Sequence, residues 1–425
     1  MKYKRSKFNV VIPVEEKYII YNTATTAMLE LEPDCYEKYF SKKSFEMDLN
    51  SDIEMLLNQG FIKTQDDDED YYQELCRKNA ICSSFYGITG ITISPTNRCN
   101  ARCYYCYENG MKRTDMSNET RDAAVLFIKN RVKEKERLNI CWHGGEPLLM
   151  ADTISYICDK LKNYGINVES TMNTNGILFS PEMIKVAVEK WNLIGVQISI
   201  DDIGDNYNLI KKYSGIDGNP FEILMRNIKN LLSTGIGVSL RLNFRYEDVE
   251  SVKRRFDYFN KEFGLYSNFD MYPAPLFGEE EKYIAKPDSE HPMLTAVRPF
   301  VESDYYKADD NWPLKPIELG CLTRSANGYA IVPNGNLYLC QHTEVHNPNN
   351  TIGNVFDGVV INETYKKWCN EMLPYEKCND CSILPICQGG CLSAFVDEHR
   401  LPCCTFKPIF SDIVLLLYNK LKGGE

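Results

Sequence analysis

The chain has 425 residues, 44% of them hydrophobic, and a formal net charge of −11. That length and apolar content support at least one large buried core and leave room for two or three domains. Apart from an acidic run at Asp66 to Asp70 the negative charge is dispersed, so no broad basic surface exists for nucleic acid, which is excluded as an expected partner.

The N-terminus carries Lys2, Lys4, Arg5 and Lys7, but the apolar run Val10 to Ile12 is broken at once by Pro13 and Glu15, so a secretory signal is not expected and the chain reads as cytoplasmic. No stretch approaches the roughly 18 uninterrupted apolar residues of a membrane helix, so no membrane partner is expected; the nearest is "IVLLLY" near the C-terminus. Residues 1–80 read as a small separate unit, with short strands around Phe8 to Ile12 and Tyr18 to Tyr21 followed by helical runs such as "DIEMLLNQG". The acidic run behind it reads as a solvated linker.

Residues 85–280 alternate β-rich and helical segments. Strands are predicted at "ITGITIS" from Ile88, "LNICWH" from Leu138, "VESTM" from Val168, "VQISI" from Val196, "VSLRLNF" from Val238 and "FDMYP" from Phe269. Five amphipathic helices separate them: Ile154, Ile157, Cys158 and Leu161 fall on one face, as do Phe221, Leu224, Met225 and Ile228, and Ser180-Pro181 supplies an N-cap with proline behind it. Repeated β-α units imply an α/β fold with parallel strands, in either an open doubly wound sheet or an incomplete barrel. Both architectures bind ligands at the C-terminal strand ends. A three-cysteine loop, "GGEP" (Gly144 to Pro147), "NTNG" (Asn173 to Gly176) and "SIDD" (Ser199 to Asp202) follow the first four strands, and "RLN" (Arg241 to Asn243) lies late in the fifth. One rim therefore collects the polar residues. Asp201 there reads equally as a general base or a turn aspartate, and His143 as a packed strand residue.

Seventeen cysteines exceed ordinary cytosolic usage, and in a reducing compartment crowded thiols bind metal more often than they form disulfides. Cys35, Cys76, Cys82, Cys141, Cys158, Cys369 and Cys404 lie outside the clearest spacings and read as small buried hydrophobes. Cys99, Cys103 and Cys106 form C-x3-C-x2-C. A structural zinc site closes with four ligands, and ferredoxin runs supply four cysteines, so this loop suits neither. Three thiolates on a cubane leave one iron open to a substrate or cofactor.

This loop, with "WHGGEP" at the next strand end, resembles the radical S-adenosylmethionine (SAM) enzymes. The resemblance implies a partial (β/α)6 TIM-like barrel in which Cys99, Cys103 and Cys106 hold a 4Fe-4S cluster whose open iron is chelated by the methionyl group of SAM. It further implies that Tyr105 lies against the adenine, that Gly144 and Gly145 admit the cofactor, and that Glu146 takes its ammonium. Ser199 would contact the ribose, and Arg241 would pair with the carboxylate. The common "SIDG" appears here as "SIDD", with Asp202 in place of glycine.

Residues 310–425 read as a loop-rich, cysteine-dense domain. Cys321 and Cys340 are followed by "CNDCSILPICQGGC", which gives Cys378, Cys381, Cys387 and Cys391, and then by Cys403-Cys404. The order resembles the SPASM extension of radical SAM peptide-modifying enzymes, with two auxiliary 4Fe-4S clusters, making three in all. The resemblance implies Cys378, Cys381, Cys387 and Cys403 on one cluster and Cys321, Cys340 and Cys391 on the other. Cys404 remains an alternative last ligand, although Lys407 follows Cys403 at the usual spacing, and two structural zinc sites remain an alternative to the clusters. The residues before Cys321, "KPIELG", supply no further cysteine, so that cluster is expected to be open unless Cys369 or another group completes it.

The resemblance implies reductive cleavage of SAM, through an external donor such as flavodoxin or ferredoxin, and hydrogen abstraction by a 5'-deoxyadenosyl radical. Residues 1–80 resemble winged-helix modules that recognise the leader of a ribosomal precursor peptide as an added strand; a stabilising cap is the plainer reading. The expected activity is a Cys thioether crosslink in such a peptide. Carbon-carbon crosslinking and formylglycine formation in a sulfatase are the alternatives, and an electron carrier or peptide-binding scaffold is the non-enzymatic one.

Overall fold

The structure, a computed structural model, describes residues 1–64, 71–78, 90–132, 137–279, 289–303, 314–316, 321, 328–343, 347–370, 376–393 and 403–423. The acidic run Asp66 to Asp70, Cys82, and the expected domain boundaries at 80, 85, 280 and 310 lie outside these residues. The chain forms two compact units, one of Met1–Ser84, Val301–Ser325 and Asn370–Glu425, the other of Phe85–Phe300 and Ala326–Cys369.

The second unit holds the alternating region. Its strands are β1 (Gly90–Ile93), β2 (Arg137–Trp142), β3 (Asn167–Thr174), β4 (Leu193–Ile200), β5 (Gly237–Phe244) and β6 (Phe269–Pro275). All six predicted strands are present, each parallel to the next. Their order in the sheet is the order in the chain. A doubly wound sheet reverses its strand order at a switch point, whereas these six strands run in one unbroken order, as in a partial barrel.

Two further strands, β7 (Tyr329–Ile331) and β8 (Leu337–Tyr338), extend the sheet beyond β1, β7 running parallel to it. They fall in the region read from sequence as loop-rich, because three- and two-residue strands are too short to show a period. Gly335, at φ +85, makes the turn between them.

The helices between these six strands are α1 (Asn118–Lys129), α2 (Ala151–Asn163), α3 (Pro181–Glu189), α4 (Gly204–Lys211), α5 (Pro220–Ser233) and α6 (Ser251–Phe263). Ile154, Ile157, Cys158 and Leu161 are all fully buried, as the spacing in α2 requires. Ser180 caps α3 by accepting from the Met183 N–H at 3.2 Å, with Pro181 in the first turn. Five helices were expected between the six strands. The extra one, α4, is a short helix directly after "SIDD", ending where Lys212 turns left-handed. Asp202, the departure from glycine, accepts from the Ile203 N–H at 2.8 Å and pairs with Arg254 at 2.5 Å, so its carboxylate braces the entry to α4.

The first unit begins with two three-stranded antiparallel sheets: Lys2–Arg5 between Ser44–Glu46 and Ile62–Lys63, and Lys17–Asn22 between Asn9–Val14 and Met28–Leu31. The two predicted strands are the hairpin Asn9–Val14 and Lys17–Asn22. Tyr3, Ile20, Phe40, Ile53, Leu56 and Phe61 form the core beneath them, with the helix Ser51–Asn58 supplying Ile53 and Leu56. In the same unit Phe8, Leu75 and Leu384 form a second apolar cluster against which Cys378 and Cys381 pack.

Candidate active site

The cysteine loop leaves β1 and is stitched from below by the loop after β2. Gly145 donates to the Thr96 carbonyl at 3.1 Å and Glu146 to the Arg98 carbonyl at 2.8 Å. A Cβ on Gly144 would stand 2.1 Å from the Thr96 oxygen and one on Gly145 2.3 Å from the Arg98 oxygen, and Gly144 also has φ +113. The two glycines are therefore required first by the close approach of the two loops.

Glu146 is fully buried. Its carboxylate accepts from the Leu148 N–H at 3.1 Å, the Thr174 hydroxyl at 2.9 Å and the Asn175 N–H at 2.8 Å. Burial pushes its carboxyl up to about 7 against the pull of those donors. The next residue of the "NTNG" turn is used as well: the Asn175 amide donates to Asn100 Oδ1 at 2.7 Å and lies 3.9 Å from Cys99 Sγ.

Above these loops is a cavity of about 500 Å³. Cys99, Cys103, Cys106, Tyr105, Gly144, Gly145, Ser199 and Arg241 all line it; Glu146 does not. Ser199 and Arg241 are direct cross-strand partners, and Tyr272 continues the row on β6. Arg241 donates to Asn243 Oδ1 and to the Pro275 carbonyl, the latter at 3.4 Å. The Ala101 N–H points at Cys99 Sγ at 3.4 Å. Burial pushes the Cys99 thiol up to about 11 and raises Cys106, so these thiols ionise there only with a compensating positive centre.

Several cavity residues were missed or misread in the sequence. Lys211, at the end of α4, is 2% exposed and its ammonium lies 2.8 Å from the Asp201 carboxylate, 3.0 Å from Ser199 Oγ and 3.3 Å from Tyr105 Oη. Burial works against both charges of the pair, yet their attraction raises Lys211 and holds Asp201 below its usual range. Asp201 also accepts from the Asn243 amide at 3.0 Å, so it is neither a free base nor a simple turn residue. His143 does pack, at 8% exposure, but it also lines the cavity. Its Nδ1 accepts from the Gly144 N–H at 2.6 Å, which leaves the hydrogen on Nε2, 3.2 Å from Tyr107 Oη. Only the α4 turn brings Lys211 here, and no residue pattern announced that helix.

In the first unit the Lys407 ammonium donates to Cys403 Sγ at 3.6 Å. Cys404 hydrogen-bonds to Cys387. Cys321 and Cys391 belong to this unit and are exposed, whereas Cys340 belongs to the second and is buried. Cys369, also in the second unit, bonds to Tyr365. Among the described residues no three Cys, His, Asp or Glu side chains converge on a single metal ion, and no helix is long and apolar enough to cross a membrane.

The radical SAM superfamily matches residues 93–259. The radical SAM cyclopropyl synthase TigE of Paramaledivibacter caminithermalis is 23% identical over 445 residues, covering 92% of this chain and 89% of that protein. The GTP 3',8-cyclase of Clostridium acetobutylicum is 34% identical over 164 residues, covering 38% of this chain and 46% of that enzyme. Among solved structures, native anSMEcpe with bound AdoMet and the Cp18Cys peptide has a TM-score of 0.57 at 15% identity, covering 78% of this chain and 99% of that one. Native anSMEcpe with bound AdoMet alone gives 0.58 at 14% identity, covering 79% and 98%. Sequence, sheet order and the three-thiol loop agree, and this chain carries a radical SAM domain spanning residues 93–259.

Proposed function

We propose that this protein is a radical SAM enzyme that modifies a Cys-containing ribosomal precursor peptide, closing a thioether between a Cys sulfur and a peptide carbon. The observation that carries the radical SAM part is the cavity itself: three thiols of one loop share its wall with Tyr105, Ser199 and Arg241. The residues fit the groups they would hold. Cys99, Cys103 and Cys106 supply three thiolates for a 4Fe-4S cluster, and the N–H of Ala101 already faces one sulfur. When bound, the cluster and SAM together supply a primary carbon radical able to take hydrogen from an unactivated carbon.

The chain's own residues then have definable tasks. Arg241, braced by Asn243, offers a guanidinium fork to the methionyl carboxylate. Ser199 and the Tyr105 backbone hold the nucleoside. Gly144 and Gly145 form the floor, and Glu146 fixes that floor to the Asn175 turn rather than reaching into the cavity.

Peptide as substrate rests on two supports. The anSMEcpe structure of the same fold holds the Cp18Cys peptide, and the C-terminal cysteines follow the SPASM order. Cys378, Cys381, Cys387 and Cys403 would hold one auxiliary cluster; Cys321, Cys340 and Cys391 would hold a second, open to a substrate thiolate. Residues 1–80 would take the leader, and a flavodoxin or ferredoxin would supply the electron. A second reading, carbon-carbon bond formation, is favoured by the cyclopropyl synthase that aligns along 92% of the chain. Co-expression with a Cys-containing precursor peptide separates the two. A thioether leaves the peptide two hydrogens lighter with its Cys closed to iodoacetamide; a carbon-carbon bond gives the same mass loss with the thiol still alkylated; an unchanged peptide refutes both.

A further inference from the structure

Among the described residues Lys211 is the one buried cation in the wall that also carries the loop thiols, and the tasks above leave it unused. It is bound to the cysteine loop twice over. Its carbonyl accepts from the Arg102 N–H at 2.7 Å, and just beyond α4 the Ser214 N–H donates to the Asn100 carbonyl at 2.9 Å. Its side chain then turns inward, held by Asp201, Ser199 and Tyr105. Lys211 shares the cavity wall with Cys103 and Cys106. The negative partner is held in place by the Asn243 amide on its carboxylate and by Arg255, whose guanidinium bonds the Asp201 carbonyl at 2.7 Å. Lys211 lines the cavity that carries the three thiols and Asp201 does not, so the pair presents its positive partner to that cavity.

We infer that Lys211 is the fixed cation of the cluster site, and that the Lys211–Asp201 pair sets how readily a cluster held by Cys99, Cys103 and Cys106 accepts its electron. This rests on the cluster reading above. Reduction adds one negative charge to a group already made anionic by three thiolates, and a buried positive charge beside it favours that step far more than it would in water. Because the two partners have opposite charge, their removal must shift the cluster in opposite directions. A merely structural role for the pair would move both variants the same way.

The test is an EPR-monitored reductive titration of the reconstituted full chain, following the signal that changes when SAM is added, which marks the cluster with an open iron. Lys211→Met is expected to shift that couple to more negative potential, Asp201→Asn to less negative potential, and Lys211→Arg to leave it near wild type. The double variant Lys211→Met/Asp201→Asn should fall between the singles. Shifts of the same sign in both singles, or no shift in Asp201→Asn with the signal intact, would overturn the inference. A wild-type protein with no SAM-responsive signal would instead remove the cluster reading beneath it.

Discussion

Asn175 donates its backbone N–H to the Glu146 carboxylate at 2.8 Å, joining the turn after β3 to the glycine loop after β2. With Thr174 and Leu148 also donating to it, the carboxylate is a buried staple. Glu146→Ala leaves three donors without an acceptor and should lower unfolding free energy by about 2–3 kcal/mol. Denaturant unfolding of the apo chain reads this directly. An unchanged midpoint would mean that Glu146 is free to serve a ligand instead.

Gly145→Ala tests the contact between the two loops. The added methyl would stand 2.3 Å from a backbone oxygen that the cysteine loop cannot withdraw. The expected cost is roughly 2–3 kcal/mol, together with loss of iron from the cysteine loop, because the loop itself is displaced. Gly110 makes the control: nothing lies within 4 Å of its Cβ position, although its φ of +94 keeps a small backbone cost there.

Arg241 should show the difference between charge and shape. Arg241→Lys keeps the positive charge but loses the planar fork that bonds Asn243 and the Pro275 carbonyl. Binding of SAM to the reconstituted protein, followed by equilibrium dialysis, should weaken about tenfold in this variant. Arg241→Ala should weaken it further.

Much of this site was legible before the fold. Ser199 and Arg241 lie in different β-α units, yet placing both at strand ends brought them to one rim, and they prove to be cross-strand neighbours. The order of the strands was not legible, since β-α repeats suit either architecture, and neither was β7, whose three residues carry no period. Lys211 escaped for a related reason. It sits at the end of an eight-residue helix, and a lysine ending a short polar segment looks like any solvated one. For Glu146 the motif suggested a cofactor contact, whereas the hydrogen bonds it makes here run to Leu148, Thr174 and Asn175.

Iron content separates the three cysteine groups. Wild-type protein reconstituted anaerobically should bind about twelve irons, for three 4Fe-4S clusters. Replacing Cys99, Cys103 and Cys106 together by Ala should remove about four of them and leave the rest. Stoichiometric zinc with only about four irons would assign the C-terminal cysteines to structural metal sites.

The three-cysteine cavity is expected to cleave SAM reductively. Wild-type protein and the Cys99→Ala/Cys103→Ala/Cys106→Ala variant, each reconstituted and reduced with dithionite under anaerobic conditions, should be compared for 5'-deoxyadenosine released from SAM. The wild type should release 5'-deoxyadenosine and methionine in equal amounts, and the variant none. Equal release from both proteins, or none from a wild type that holds its full iron, would contradict it.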